Sequence, residues 1–276
     1  PRGLAVDPLG AQLYVTNYST DTVSFVDIGS VSPGSEVADD RTKAIADLRQ
    51  QGSSVGRFDL QVGRGPTGIA HAPDTTLLYV ATAIDSQGFK ISTTSNTITT
   101  TFATGTHPQD IATSYLIPTI PPLGWVTYIS CLGGEGDPDG TVTFFWYGPA
   151  WGADYVTANM TGFKNPKGTF YDRGNNVWIA NSGGDYVSEI TWTTSQAGLS
   201  LVVLPTLVNH ISTGKNPTSV TGEPFWFYYI GRLPVTIIVA ERGEGRIAFL
   251  DRLFPARPAY TIDVPTVHQV ASILDQ

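Results

Sequence analysis

Residues 1–28 read PRGLAVDPLGAQLYVTNYSTDTVSFVDI. After the opening Pro1-Arg-Gly-Leu-Ala-Val, two further runs, Leu13–Asn17 and Thr22–Asp27, are rich in Val, Tyr, Phe and Thr. Asp-Pro-Leu-Gly and Tyr-Ser-Thr-Asp, which contain the turn-forming residues Asp, Pro, Gly and Ser, separate the three runs. Short β-favouring runs bounded in this way predict a strand–turn–strand–turn–strand unit.

Variants of this unit recur along the chain. Each opens on a proline followed by a short apolar strand, and the prolines are Pro66, Pro108, Pro166 and Pro217. Strand-rich repeats of about 40–50 residues are typical of β-propeller blades. We therefore predict an all-β protein, a β-propeller of four-stranded antiparallel blades in a single domain over 1–276. The predicted blades are 1–65, 66–107, 108–165, 166–216 and 217–266, with the inner strand of a sixth over 267–276.

The opening motif also resembles a known family. Pro1-Arg-Gly-Leu-Ala-Val-Asp-Pro, followed by Leu13-Tyr-Val-Thr-Asn17 and Thr22-Val-Ser-Phe-Val-Asp-Ile28, is similar to the YVTN-type β-propeller repeat. The resemblance implies a propeller fold and a location outside the cytoplasm, in surface-layer-like or other extracytoplasmic proteins. It says little about chemistry, because one fold hosts many functions.

Two features of the blade plan stay open at the sequence level. Five blades plus one inner strand favour an intact ring of six or seven blades, and the alternative is a five-bladed ring with a C-terminal tail. An insertion over 30–57 holds the one predicted helix, Asp39–Gln51, which Asp39 or Asp40 can cap and Gly52 can end.

Composition narrows the class of partner. The net charge is −8 and only 14% of residues are charged, against roughly 25% in an average globular protein. An acidic chain is a poor ligand for nucleic acid or an anionic membrane, so we predict neither partner.

The most apolar stretch, 225–240, is too short and interrupted for a transmembrane segment. The lone Cys131 excludes an internal disulfide and Cys-rich metal sites. No signal peptide is visible, so we expect a processed chain or part of a longer one.

Long apolar insertions are concentrated in one kind of connection. Segments 29–57, 115–125, 193–208 and 224–234 join first to second or third to fourth strands, which emerge on the same face of a propeller. Contiguous apolar surface usually marks an interaction site. We predict that this face docks other protein subunits through Ile45, Leu48, Leu116, Ile117, Trp125, Leu199, Val202, Phe225, Trp226, Phe227 and Tyr229. The alternative is that these segments cap the propeller core or extend its strands.

The opposite face carries an acid in each turn between second and third strands. Acidic residues are ordinary in turns, because Asp bonds its own backbone. The alternative is a carboxylate ring that attracts cations, in which Asp137 and Asp139 are weak calcium candidates although the spacing is not that of an EF-hand. The six tryptophans offer a possible glycan-stacking surface, or they pack one blade on the next.

The sequence contains no recognisable set of catalytic residues. His71, His107, His210 and His268 lack zinc-site spacing, G-x-S-x-G is absent, and Cys131 has the sequence setting of a small core residue. We predict no catalytic residues and no cofactor, and hence a non-enzymatic extracytoplasmic docking or structural subunit. The alternatives are a propeller enzyme of the lactone-hydrolase or dehydrogenase type, and a glycan- or cation-binding module.

Overall fold

The computed structural model of the protein describes residues 1–7, 10–28, 57–72, 75–115, 124–134, 139–148, 153–172, 176–197, 200–222, 236–251 and 258–264. Within these residues the regular structure consists of twenty strands in five four-stranded antiparallel sheets. The predicted helix Asp39–Gln51 and the inner strand predicted within 267–276 lie outside the described residues.

Each sheet takes four strands in chain order. The first sheet comprises β1 (Leu4–Val6), β2 (Gln12–Asn17), β3 (Thr22–Asp27) and β4 (Arg57–Gln61). The second comprises β5 (Pro66–His71), β6 (Leu77–Thr82), β7 (Gln87–Ser92) and β8 (Thr97–Ala103). The third comprises β9 (Pro108–Tyr115), β10 (Trp125–Cys131), β11 (Asp139–Gly148) and β12 (Ala153–Lys164). The fourth comprises β13 (Pro166–Tyr171), β14 (Asn176–Asn181), β15 (Tyr186–Ala197) and β16 (Ser200–Ser212). The fifth comprises β17 (Pro217–Gly222), β18 (Thr236–Glu241), β19 (Arg246–Asp251) and β20 (Pro258–Asp263).

The sheets are arranged as propeller blades. The first strands β1, β5, β9, β13 and β17 lie side by side in that order, and from β5 onward each packs on the blade before it. This radial arrangement of antiparallel four-stranded sheets confirms the predicted fold. Among the described residues the ring is not closed between blades 5 and 1.

The hydrophobic core lies between blades. Strand alternation sends one large side chain from the second strand of blades 1 to 4 towards the following blade. These side chains are Tyr14, Tyr79, Tyr128 and Trp178, and each is at most 1% exposed. Each belongs to a separate cluster that combines residues of two consecutive blades. Every blade therefore buries its apolar surface against its neighbours.

Short polar contacts hold the innermost strands together. The hydroxyls of Thr16 and Thr67 donate to carbonyl oxygens of the next blade, those of Thr67 and Pro108, each at 2.9 Å. At Gly68 a Cβ atom would lie 2.9 Å from the Cα of Asp110, closer than real Cβ atoms approach backbone. Glycine is required at this position because neighbouring backbones meet there.

One predicted insertion is a strand extension. Segment 193–208 was expected to emerge as a connection, with strand extension as the alternative. The structure continues β15 to Ala197 and begins β16 at Ser200, and the two strands pair along this length. Only 198 and 199 separate them, so β-pairing takes up most of this segment, including Val202.

Truncation of Trp178 to alanine should destabilise the protein strongly. Its side chain is fully buried in the cluster between blades 4 and 5, and its Nε1 donates to the buried Asp172 carboxylate at 3.1 Å. Removal of a buried tryptophan costs about 3–5 kcal/mol. Urea unfolding should show this loss, whereas Ile98→Ala, at a position 37% exposed on β8, should cost less than about 1 kcal/mol. Equal losses would contradict an inter-blade core.

Candidate functional site

The propeller has two loop faces with different chemistry. The turn face carries the connections from second to third strands and the linkers between blades, including 62–65, 104–107 and 213–216. The insertion face carries the connections from first to second and from third to fourth strands. Hydrogen bonds confirm this division, because turn residue Asp21 bonds linker residue Gly65, whereas Thr93 bonds Thr76 on the other face.

Carboxylates on the turn face hold the linkers. Asp21 accepts a hydrogen bond from the Gly65 amide, and Asp185 accepts one from the Asn216 amide, both at 2.8 Å. Each of these bonds joins a turn of one blade to the linker that leads into the next. The acids of these turns are therefore structural acceptors, as expected from ordinary turn chemistry.

Acids from the following blade hold the same linkers from the other side. Asp85 accepts hydrogen bonds from the backbone amide of Arg64 at 2.6 Å and from its guanidinium at 2.7 Å. The hydrogen bond from the Arg64 backbone amide contributes most, and together with the guanidinium bond it holds the pKa of Asp85 below its ordinary value. The buried Glu241 accepts from the Gly214 amide at 2.6 Å and pairs with Arg246. Each of these two linkers is thus clamped between carboxylates of two blades.

The residue before each blade-opening proline has a left-handed backbone. Gly65, His107, Asn165 and Asn216 have φ values of 66°, 52°, 44° and 53°. His107 therefore occupies a turn position, is exposed, and places its Nδ1 3.0 Å from the Gly133 carbonyl oxygen. His268, another of the four histidines, lies outside the described residues. No group of three or more His, Cys, Asp or Glu gathers in a metal-binding arrangement in the described ranges.

The other singled-out side chains have packing roles. His71 stacks on Tyr14 with ring centroids 5.8 Å apart, and burial lowers its pKa. Cys131 is fully buried, and burial raises the pKa of its thiol to about 11, so the reactive thiolate is disfavoured at neutral pH. Trp146 and Trp178 are buried between blades, so their rings are not available for stacking on a glycan.

One candidate docking residue is fully described. Trp125 begins β10 at the insertion face, is partly buried, and packs against the cluster between blades 2 and 3. Its register partners are Tyr115 on β9 and Tyr147 on β11, so three aromatic positions lie in a row at this edge. Val202 lies in β16. The remaining candidates lie outside the described residues: Ile45, Leu48, Leu116, Ile117, Leu199, Phe225, Trp226, Phe227 and Tyr229.

The described structure does not test the weak calcium candidates as a pair. Asp137 lies outside the described residues, and the exposed Asp139 forms an ion pair with Lys164. Calcium or glycan binding stays a prediction without support from the described contacts.

The innermost strand of blade 3 carries a carboxylate that the sequence analysis missed. The third residue of each blade-opening motif is Gly3, Gly68, Asp110, Gly168 or Ser219. At blade 3 a carboxylate replaces the small residue, and its Oδ2 accepts from the Thr169 amide of blade 4 at 2.8 Å. Burial raises the pKa of Asp110 to about 6. The departure from Pro-x-Gly at 108–110 was the available sequence signal.

Asp110 should make stability depend on pH. Its ordinary pKa of 3.8 is raised to about 6 in the folded protein, so ionisation is less favourable there than in the unfolded chain. The free energy of unfolding should fall as pH rises from about 4 through 6, by at most about 3 kcal/mol. Asp110→Asn keeps an acceptor for Thr169 and does not ionise, so it should remove this fall.

Urea unfolding at pH 4.5 and 7.5 measures the effect. Asp59→Asn is the matched control, because Asp59 pairs with Arg57 and its pKa is lowered, chiefly by that hydrogen bond. The control should not raise stability at pH 7.5. An unchanged pH dependence in Asp110→Asn would contradict the assignment.

Comparisons with known proteins agree with the fold. No family model and no curated protein matches the sequence. Among solved structures, a chain of Kuenenia stuttgartiensis hydrazine synthase matches with TM-score 0.55 and 20% identity over 90% of this chain, which spans 64% of that chain. A functionally unknown protein from Desulfotomaculum acetoxidans matches with TM-score 0.59 and 15% identity, covering 93% of this chain and 67% of that one. A nidogen/laminin complex chain matches with TM-score 0.54 and 12% identity, covering 95% and 79%. At these identities the likeness shows a β-propeller-like fold alone.

Proposed function

We propose that the protein is a non-enzymatic β-propeller that docks other proteins through its insertion face, as a subunit of a cell-surface or multi-subunit assembly. The asymmetry between the two faces carries this proposal. Four of the five turns from second to third strands contain only four residues. On the insertion face, the connections 28–56, 116–124 and 223–235 contain 29, 9 and 13 residues. The connections that are longer than strand pairing requires are therefore concentrated on the insertion face.

The composition of these connections favours a protein partner. Phe225, Trp226, Phe227 and Tyr229 lie within six residues of one connection. If they share one exposed surface, they leave several hundred Å² of apolar area in water, at roughly 25 cal/mol per Å². Patches of that size on soluble proteins are typical of interaction sites, where a partner covers them.

The described part of the insertion face supports the same proposal. Trp125 follows the connection 116–124 directly and is only partly buried. Aromatic residues stand at its register positions on both neighbouring strands. Aromatic side chains are enriched at protein–protein interfaces, where they act as anchors.

The turn face, by contrast, has a structural role. Asp21, Asp85, Asp185 and Glu244 accept hydrogen bonds from linker amides of the propeller itself. Each of these carboxylates therefore already has a structural role in holding consecutive blades together. This use favours a structural role over the alternative of a cation-binding ring.

Two structural neighbours bear on the choice between a docking protein and an enzyme. One neighbour is a chain of a nidogen/laminin complex, which is an assembly of proteins. Another is named for hydrazine synthesis and keeps the enzyme alternative open. We also propose an extracytoplasmic location, supported by the resemblance of residues 1–28 to YVTN repeats. In the described residues, no helix has the length and hydropathy needed to span a membrane.

The docking proposal predicts that charge on the insertion face abolishes assembly. The double variant Trp226→Asp, Phe227→Asp should lose stoichiometric partners when purified from its native cells, because a carboxylate cannot enter an apolar interface without a large desolvation cost. The native mass should fall to that of one chain. Circular dichroism and the Tm should remain close to wild type if these side chains serve a partner.

Ile84→Asp is the matched control. Ile84 is 47% exposed on the turn face, and this variant should keep the wild-type mass. A wild-type protein that purifies as a single chain without partners would contradict the proposal. Equal loss of assembly in the control would also contradict it, because the effect would then not depend on the face.

A further inference from the structure

The fifth blade has a buried surface on the side away from the fourth. Val220 and Val239 belong to the cluster that faces blade 4, so alternation directs Ser219 and Ala240 to the other side. Ser219 is 8% exposed and Ala240 is fully buried. No described strand lies on that side of the sheet to bury them.

The burial is confined to the inner part of this surface. Ile262, on the outermost strand β20, faces the same way and is 49% exposed. The free side of the first blade is also open, because Leu4 is 66% exposed. Its counterpart in blade 2, Ile69, is 7% exposed between blades 1 and 2.

In the four described interfaces, the inner half of each blade is covered by the first strand of the next. Strand β5 packs on β1 and β2, β9 on β5 and β6, β13 on β9 and β10, and β17 on β13 and β14. The same surface of blade 5 is formed by β17 and β18. The same pattern places the first strand of a sixth blade over the surface formed by β17 and β18.

The path of the chain leads to that position. The amide of Val264 donates to the Gly245 carbonyl at 2.6 Å, at the turn face. The amides of Val62, Thr104 and Thr213 donate equivalent hydrogen bonds to turn carbonyls, and each of these residues is the first of an earlier linker. In each earlier case the next inner strand begins four residues later, at Pro66, Pro108 or Pro217. The same spacing from Val264 reaches position 268 and leaves nine residues, enough for a strand of the observed length.

The other candidate segments attach at the wrong end of the sheet. Connections 223–235 and 252–257 leave blade 5 at the insertion face. Ser219 and Ala240 are register partners near the opposite end, close to the turn that receives Val264.

We propose that the surface formed by Ser219 and Ala240 is the docking site for residues 268–276, which add the inner strand of a sixth blade over β17 and β18. The fifth blade is then covered on both sides, by β13 and β14 of blade 4 and by this strand. This assignment does not depend on the proposed docking function.

Hydrogen exchange of the full chain tests the proposal. Amides within 268–276 should exchange at least about tenfold more slowly than in a free peptide of the same sequence, because packing over β17 and β18 shields the segment from water. The protection should persist on tenfold dilution, which distinguishes an intramolecular strand from one donated by a second copy. Exchange at free-peptide rates would overturn the proposal.

Substitutions identify the docking surface. Ala240→Glu places a charge under the proposed strand and should return 268–276 to free-peptide exchange rates, whereas Ile84→Glu on the turn face should not. Since Ala240→Glu also risks unfolding blade 5, a variant ending at Val264 provides the reciprocal measurement. It should speed exchange in β17 and leave β9 unchanged. Protection of 268–276 that survives Ala240→Glu in a folded protein would place the segment elsewhere and overturn the proposal.

Discussion

The packing of one large side chain from the second strand of a blade against the next blade is the interaction on which this fold depends. Tyr14, Tyr79, Tyr128 and Trp178 occupy the same strand position and are all fully buried. An isolated four-stranded sheet has two faces and no core of its own. Each blade therefore depends on packing against a neighbouring blade, as in other repeat architectures whose units contact only adjacent units.

The same constraint explains why the turn face is rich in acids. Consecutive blades must be held at a fixed angle, and the linker between them has backbone amides that need acceptors. Asp21 and Asp185 provide these acceptors from the preceding blade, and Asp85 and Glu241 provide them from the following blade. Once these carboxylates hold the linkers, the opposite face is where long connections can be accommodated without disturbing blade packing.

Much of this arrangement was predictable from the sequence. Period-two alternation and the recurring prolines predicted the blades, because strand geometry requires the alternation and turns require the punctuation. The left-handed backbone at His107 was less accessible, because glycine and asparagine mark such positions more clearly than histidine does. Segment 193–208 was ambiguous because a run of apolar residues suits both a loop that docks a partner and an extended hairpin. Asp110 was missed because its consequence depends on how closely blade 4 approaches, which local patterns do not encode.

Asp110 also shows how a repeat fold can tolerate a titratable group at its centre. At the equivalent positions of blades 2 and 4, Gly68 and Gly168 let the neighbouring backbones meet directly. At blade 3 the carboxylate occupies the same crowded position and recovers part of its lost hydration through the Thr169 amide. This hydrogen bond offsets only part of the cost of burying the carboxylate, so the pKa of Asp110 stays raised. Because the core is divided among separate inter-blade clusters, the cost falls on the interface between blades 3 and 4, and the other interfaces keep their close backbone contact.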